Sequence, residues 1–400
     1  MRHPLRITYV TRSFLDYRVP VFEALSHMLN KQFNIIYSAD YIPNIVNYKV
    51  KRALGNFAIG MTGERCIGPN EFPDFANTAF RVVYKPHILR EIGKNKPHVL
   101  VGDGFFQWTS FALFYKIRNK IPLVVCYERT FHTERNAQWY RNAYRRFIVK
   151  YVDAITCSGK LSLEYVKWLG MPESKITTGH MVADTKGMGD VVASLSQTER
   201  EGYRKKWGSQ KLIFLAASRL NKRKGIKELL LGWSLLEKVV PENGKLIIIG
   251  VGPEEEALKF LAQELGLSSV HFLGPVLYDD IARYYAAADV FVMPTLEDNW
   301  SLVVPEAMAC GLPVLCSRYN GCYPELIDPA KNGWVFDPLD KEDTFRALMK
   351  CFQNKARLKQ MGKRSMEIVS RHTPEHAARA IVDACNIAIA NNKYAFAYRS

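Results

Sequence analysis

No run of eighteen apolar residues occurs in the chain. The nearest approach, residues 98–117, is broken by Gly102-Asp103-Gly104 and Gln107, which argues against a membrane-spanning helix. No charged and apolar leader precedes the first strand-like run, residues 6–10, so no signal peptide is expected. The eight cysteines include no C-x-x-C pair, and Cys310, Cys316 and Cys322 recur at six-residue intervals with no His or fourth ligand beside them. That spacing excludes a zinc site and a disulfide scaffold and leaves reduced thiols. A repeat of fixed short period is missing, as are zinc-finger, RNP and helix-turn-helix patterns, so neither a solenoid nor a nucleic-acid partner is expected.

What is present is a soluble-type composition, 48% hydrophobic and 24% charged, spread over 400 residues, more than one core usually organises. Formal net charge is +16, and about +12 of it falls in residues 1–200. A field of this sign favours anionic partners. Much of it lies on helix-spaced segments with interleaved aromatics, residues 139–147 and 116–120, which suit either an anionic membrane surface or plain solvated faces.

Apolar runs at 6–11, 33–38, 98–102, 122–127 and 154–157 alternate with helical spacing, which predicts a parallel sheet covered on both faces. Near Ala183 the pattern breaks. Residues 184–190 read as a flexible connection, and Ser196-Gln197-Thr198-Glu199 reads as a capping box opening a helix that ends before Gly208. From Lys211 a second series begins, at 212–216, 246–250, 271–274, 290–294 and 313–316. Two Rossmann-like halves joined by a hinge would leave a cleft suited to small ligands.

Residues 295–313 carry the densest chemical information. A buried strand, 288–294, leads into an acidic turn (Glu297, Asp298, Asn299, Trp300) and a helix opening at Ser301 or Leu302 and closing at Gly311. Unpaired N–H groups at such an opening, those of Ser301, Leu302 and Val303, can face an anion such as a diphosphate. Glu306, one turn further in, can accept hydrogen bonds from a vicinal diol such as a ribose, and Asp298 can do the same for a sugar ring. The glycine pair Gly250 and Gly252 invites a dinucleotide reading. Pro253 and the three carboxylates Glu254, Glu255 and Glu256 that follow oppose it, and so disfavour a dehydrogenase.

This stretch resembles the signature of the retaining, nucleotide-sugar-dependent glycosyltransferases of family four (group 1), which have the GT-B fold. Asp298, Trp300 and Glu306, then Ala307-Met308-Ala309-Cys310-Gly311-Leu312-Pro313, fit it in register, with Asp298 where Glu is usual and Ser301 where Gly is usual. The resemblance covers roughly residues 211–375, including Gly321 to Glu325 and Asn332-Gly333. It implies that Arg219 and Lys224 bind the donor diphosphate, where fixed cations stabilise the charge built on the leaving group. It implies further that Gly250 belongs to a tight turn beside the donor, and that Val276 and Leu277, after Gly274-Pro275, border the nucleobase.

The first half matches loosely. Residues 13–18 stand where a Gly-rich loop is common, and no His directly follows the strand 122–127. Glu128 or His132 is expected either to face the cleft or to serve loop hydrogen bonds, with Asp103 a similar acceptor-side candidate.

The expected fold is α/β with GT-B architecture, two Rossmann-like domains whose parallel sheets face an interdomain cleft. Residues 1–185 would bind the acceptor, 186–208 link, 209–375 bind the donor, and 376–400 form a helix crossing back to the first domain. The expected protein is a metal-independent, cofactor-free hexosyl- or pentosyltransferase working with retention. Its donor is a nucleotide-diphosphate sugar, UDP-sugar favoured over GDP-sugar, and its acceptor a saccharide or lipid-linked saccharide, in bacterial surface polysaccharide or lipopolysaccharide assembly. A cytoplasmic location is expected, with peripheral contact to the inner face of the plasma membrane as one option. The alternative is a sugar-nucleotide epimerase or phosphorylase of the same fold.

Overall fold

The computed structural model describes residues 5–67, 82–208, 210–241 and 243–392, so the last eight positions of the segment expected at 376–400 lie outside the described residues. The chain divides into two compact units, residues 1–182 with 374–400 and residues 183–373.

In the first unit the strands are β1 (Ile7–Thr11), β2 (Phe33–Ser38), β3 (Ala58–Met61), β4 (Arg65–Ile67), β5 (Val82–Tyr84), β6 (Val99–Asp103), β7 (Leu123–Tyr127), β8 (Ala154–Cys157) and β9 (Ile176–Thr178). The strands β4 and β5 pair only with each other, antiparallel, and the other seven form a parallel sheet ordered β3-β2-β1-β6-β7-β8-β9. Such a sheet must be covered on both faces, and β1, Ile-Thr-Tyr-Val-Thr, is buried at every position. Alternate side chains go to opposite cores. Ile7 and Tyr9 pack with Phe22 and Leu25 of the helix Val19–Met28 and with Ala377, Ile381 and Ala388 of the helix Pro374–Asn391. Val10 packs with Trp108 and Ala112 of the helix Trp108–Asn119 and with Val166 of the helix Lys160–Leu169.

The second unit repeats the plan. Its strands are β10 (Leu212–Ala217), β11 (Gly244–Ile249), β12 (Val270–Gly274), β13 (Val290–Met293), β14 (Val314–Ser317) and β15 (Gly333–Phe336), in one parallel sheet ordered β12-β11-β10-β13-β14-β15. Trp233 of the helix Ile226–Val239 fills one core against Phe214 and donates its indole N–H to Ser269 Oγ at 2.8 Å. In both sheets the strand order reverses beside the first strand, between β1 and β6 and between β10 and β13. Loops leaving the carboxyl ends of those strands diverge there and leave a crevice.

The stretch 184–190, expected as a flexible connection, is instead the start of a helix, Thr185–Ser194. Asp184 caps it by accepting from the Gly187 amide at 2.9 Å. Its two glycines suggested flexibility, but the helix packs onto the helices Tyr278–Ala287 and Val303–Ala309, which hold it in place. The capping box is present, with Ser196 and Glu199 exchanging bonds of 3.2 and 2.9 Å at the head of the helix Gln197–Lys205. Residues 186–208 therefore form two helices within the second unit. Among the described residues no helix is long and apolar enough to cross a membrane.

Ile381 is fully buried between the last described helix and the first sheet. Ile381→Ala is expected to cost about 2–5 kcal/mol. Hydrogen exchange read strand by strand should quicken in β6, β7 and β8, on which this helix packs, and stay unchanged in β10 and β13. Equal quickening in both sheets would contradict this placement.

Candidate functional site

The loop after β10 carries Arg219. It lies against the loop after β11 because Gly250, at φ 134°, has no side chain; a Cβ there would stand 1.8 Å from the Ser218 carbonyl oxygen. Backbone bonds from Ser218 N to Ile249 O (3.0 Å) and Leu220 N to Val251 O (2.9 Å) zip the two loops together. The Arg219 side chain is exposed at this edge and makes no ion pair among the described residues. Gly250 thus shapes the loop that presents the cation.

Lys224 ends a short turn, Lys222–Lys224, that docks on the loop after β13. The Arg223 carbonyl accepts from the Leu296 amide (2.7 Å) and the Thr295 hydroxyl (2.8 Å). Across the strand-order reversal the Lys224 ammonium pairs with the Asp298 carboxylate, both largely buried. Ser301 Oγ donates to the same Asp298 oxygen at 2.5 Å, and the Trp300 amide donates to the other at 3.2 Å. Burial would raise the Asp298 carboxyl, but the Lys224 ammonium and the hydrogen bonds from Lys224, Ser301 and Trp300 hold it below the usual carboxylate range. The Ser301 hydroxyl, where the resemblance has Gly, adds a donor to a carboxylate one methylene shorter than usual.

The helix expected from Ser301 or Leu302 to Gly311 spans Val303–Ala309. Asn320, fully buried after β14, accepts from the Ser301 amide and the Cys322 amide at 3.3 Å each through Oδ1. The three amides expected to face an anion are therefore reduced to those of Leu302 and Val303. Asn320 was invisible to motif reading, because its role is to tie the acidic turn to the next strand's loop.

Glu306 is 5% exposed, and its carboxylate accepts from Tyr278 Oη at 3.2 Å and from Tyr285 Oη at 3.5 Å. Burial pushes it up to about 7, with the two tyrosine hydroxyls pulling down and Asp184 adding to the rise. Tyr278 directly follows Val276 and Leu277, so it joins that loop to Glu306. Neither tyrosine was singled out in the sequence, although the position of Tyr278 beside the expected nucleobase loop was a signal. A carboxylate gripped by two hydroxyl donors near the rim of a sheet has the chemistry to receive a diol when ionised.

In the first unit a cavity of about 260 Å³ opens at the reversal between β1 and β6. Glu128 and Asp103 line it; His132 is not among its lining residues, and its carbonyl accepts from Arg135 at 2.6 Å. Arg18, 4% exposed, lies 3.6 Å from Asp103 and donates to the His180 carbonyl at 3.2 Å. Tyr9 Oη donates to Asp103 at 2.6 Å and also meets Arg18. Arg145, from the basic stripe expected on a surface, is instead buried and paired with Glu134 at 2.6 Å, and Glu134 also holds Arg129 at 3.2 Å. In the rest of that stripe Arg141, Asn142 and Tyr144 are half-buried, while Trp139 at 81%, Tyr140, Arg146 and Phe147 at 55% are exposed.

Folding raises Glu306 above its unfolded value of 4.5, so the folded state binds more protons between about pH 4.5 and 7. The stability this group contributes is full below pH 4.5 and is lost as the pH rises through 7. Glu306→Gln should flatten that fall, seen in denaturant midpoints measured across the range; parallel curves for the two proteins would contradict it.

Residues 199–367 match the family model for glycosyl transferases group 1. The sulfoquinovosyl transferase SQD2 of Arabidopsis thaliana is 26% identical over 325 residues, 78% of this chain and 61% of that protein, so the chain spans less than two thirds of this relative's length. Among solved structures, Anabaena Alr3699/HepE in complex with UDP superposes with a TM-score of 0.75 at 15% identity, covering 96% of this chain and 100% of that one. WaaG, a glycosyltransferase involved in lipopolysaccharide biosynthesis, superposes with a TM-score of 0.64 at 15% identity, covering 96% and 99%. The two parallel-sheet units have the GT-B fold, and the second of them carries the match to the glycosyl transferases group 1 model.

Proposed function

We propose that this protein is a retaining glycosyltransferase of family four, taking a UDP-sugar in preference to a GDP-sugar as donor and a saccharide or lipid-linked saccharide as acceptor. The observation that carries the reading is the convergence, around the second sheet's strand-order reversal, of Arg219, the Lys224–Asp298 pair and the tyrosine-held Glu306. The family match over 199–367 and the UDP held by the Anabaena neighbour support it.

Breaking the bond between an anomeric carbon and a diphosphate leaves charge on the departing oxygens as the sugar becomes oxocarbenium-like. Lys224, already desolvated and oriented by Asp298, meets that charge as a point cation, and the exposed Arg219 folds onto the diphosphate with its planar fork. The Leu302 and Val303 amides add donors, Glu306 takes the ribose hydroxyls, and Asp298 orients the donor sugar with whichever lone pairs Lys224 and Ser301 leave open. These fixed cations do the work a divalent ion would otherwise do, so the reaction is metal-independent. The first unit holds the acceptor. Lipopolysaccharide or another bacterial surface polysaccharide is the favoured setting, in keeping with the WaaG likeness.

The exposed face bearing Trp139, Tyr140, Arg146 and Phe147 would rest on an anionic bilayer without entering it deeply, indoles and rings at the headgroup level and guanidinium groups on phosphates. On this reading the enzyme works at the cytoplasmic face of the plasma membrane.

A panel of UDP- and GDP-sugars tests the donor reading. Glu306→Ala and Arg219→Ala should each weaken UDP binding at least about tenfold, ~1.4 kcal/mol. EDTA should leave turnover intact, and NMR of the first-formed product should show the donor's anomeric configuration. UDP affinity unchanged in both variants would remove the site assignment. For the membrane face, the double change Trp139→Ala and Phe147→Ala should abolish co-flotation with phosphatidylglycerol-rich vesicles at low salt, and a wild-type protein that stays at the bottom of the gradient would dispose of the idea.

A further inference from the structure

We propose that Tyr278 is a positioning residue for the nucleotide-sugar donor: its hydroxyl holds the Glu306 carboxylate, ionised and fixed in direction, for the ribose diol. This role rests on the glycosyltransferase reading, in which Glu306 takes the ribose hydroxyls.

Geometry carries the assignment. Tyr278 opens the helix Tyr278–Ala287, and Tyr285 stands seven residues on, two turns along the same face. Both hydroxyls therefore reach one carboxylate, Tyr278 on Oε1 at 3.2 Å and Tyr285 on Oε2 at 3.5 Å. The two bonds are unlike. Tyr285 is fully buried, and burial with the Glu306 carboxylate beside it keeps its hydroxyl well above the usual range, so it stays a neutral donor on the inner side. Tyr278 is half-buried and directly follows Val276 and Leu277, so a ligand that reaches Glu306 from solvent does so beside Tyr278. Each carboxylate oxygen keeps a further lone pair after these bonds, and a diol has two donors to use them.

The charged neighbours do not replace those two donors. Asp184, at the head of the helix Thr185–Ser194, pushes the Glu306 carboxyl up further, while Lys186 and Asp190 of that helix are exposed. On the helix Tyr278–Ala287, Asp279 is exposed and Asp280 pairs with Arg283 at 2.5 Å. On the helix Leu358–Val369, Lys359, Lys363 and Glu367 are exposed, and Arg364 donates to Glu367 at 3.0 Å. Cys310, on the same helix as Glu306, is raised by burial and stays a neutral thiol; β14 brings Cys316, and β13 has no titratable side chain.

Burial raises the Glu306 carboxyl to about 7 against the pull of the two hydroxyls, so the group changes charge across neutral pH. Its ionised form accepts both ribose hydroxyls, whereas its protonated form turns one oxygen into a donor. Donor affinity therefore rises with pH through neutrality and levels off above it. Removing the Tyr278 hydroxyl takes a donor from the ionised form, which moves the midpoint to higher pH.

Isothermal titration of the full-length chain with UDP-glucose, UDP-galactose and GDP-mannose between about pH 5.5 and 9 tests this, with the tightest binder followed in the variants. Nucleotide sugars are used because the terminal phosphate of free UDP itself titrates at about pH 6. Wild-type affinity should climb through about pH 7 and flatten. Tyr278→Phe should show the same curve about one pH unit higher and approach the wild type at the alkaline end. Glu306→Gln should bind weakly with no rise. A purely structural role for Tyr278 would instead lower affinity by one factor at every pH. Should Tyr278→Phe not fold, Tyr278→Leu, which also lacks the hydroxyl, takes its place. A wild-type affinity that ignores pH, or a midpoint shared by the wild type and the hydroxyl-free variant, would overturn the role of Tyr278 and leave the donor reading standing. No binding of any of the three by the wild type at any pH would remove the donor reading and this role with it.

Discussion

In each unit a cation and a carboxylate meet across the gap where the strand order reverses, Arg18 with Asp103 between β1 and β6, Lys224 with Asp298 between β10 and β13. A parallel sheet leaves its loops at one edge, and at the reversal neighbouring loops turn to opposite faces, so nothing in the backbone fills the space between them. Charged partners reaching over that space hold the two loops at a fixed separation and keep it polar. Partly buried pairs of this kind add little net stability, but breaking one leaves the more buried partner, Arg18 or Asp298, without its counter-charge, so the pair fixes the site's geometry.

The two crevices differ in what surrounds the pair. In the second unit Asp298 is neutralised by Lys224 and further bonded by Ser301 and the Trp300 amide, while Arg219 stands exposed on a neighbouring loop, so the edge as a whole offers unneutralised positive charge to an anion. In the first unit Arg18, Arg129 and Arg145 are each met by a carboxylate, and the cavity is electrically quiet. The same architectural gap thus keeps an unpaired cation at its edge in one half and balanced charge in the other, by the pairing of a few side chains.

Glu306 shows how burial sets chemistry. It sits one turn inside a short helix among apolar neighbours, with Tyr278 and Tyr285 the hydrogen-bond donors to it among the described residues, and burial pushes its carboxyl up to about 7. A surface glutamate at the same place in the sequence would have been ionised throughout and bound diols weakly in competition with water.

Local order was legible in the sequence. The buried runs that became β1, β10, β13 and β14, the capping box at Ser196 and Glu199, and the succession of strand, acidic turn and helix through Asp298 and Glu306 all follow from periodicity and from hydrogen-bonding preferences of residues a few positions apart. The flexible reading of 184–190 failed because two glycines outweighed the cap offered by Asp184, and because the helix is held by packing onto distant residues. The assignment of Lys224 to Asp298, 74 residues away, of Tyr278 and Tyr285 to Glu306, of Asn320 to the Ser301 amide, and of Arg145 to a buried Glu134 was decided by tertiary structure alone. Charge and polarity in a sequence say that a partner is needed; which partner is met depends on the register of separate strands and on which loops the strand-order reversal brings side by side.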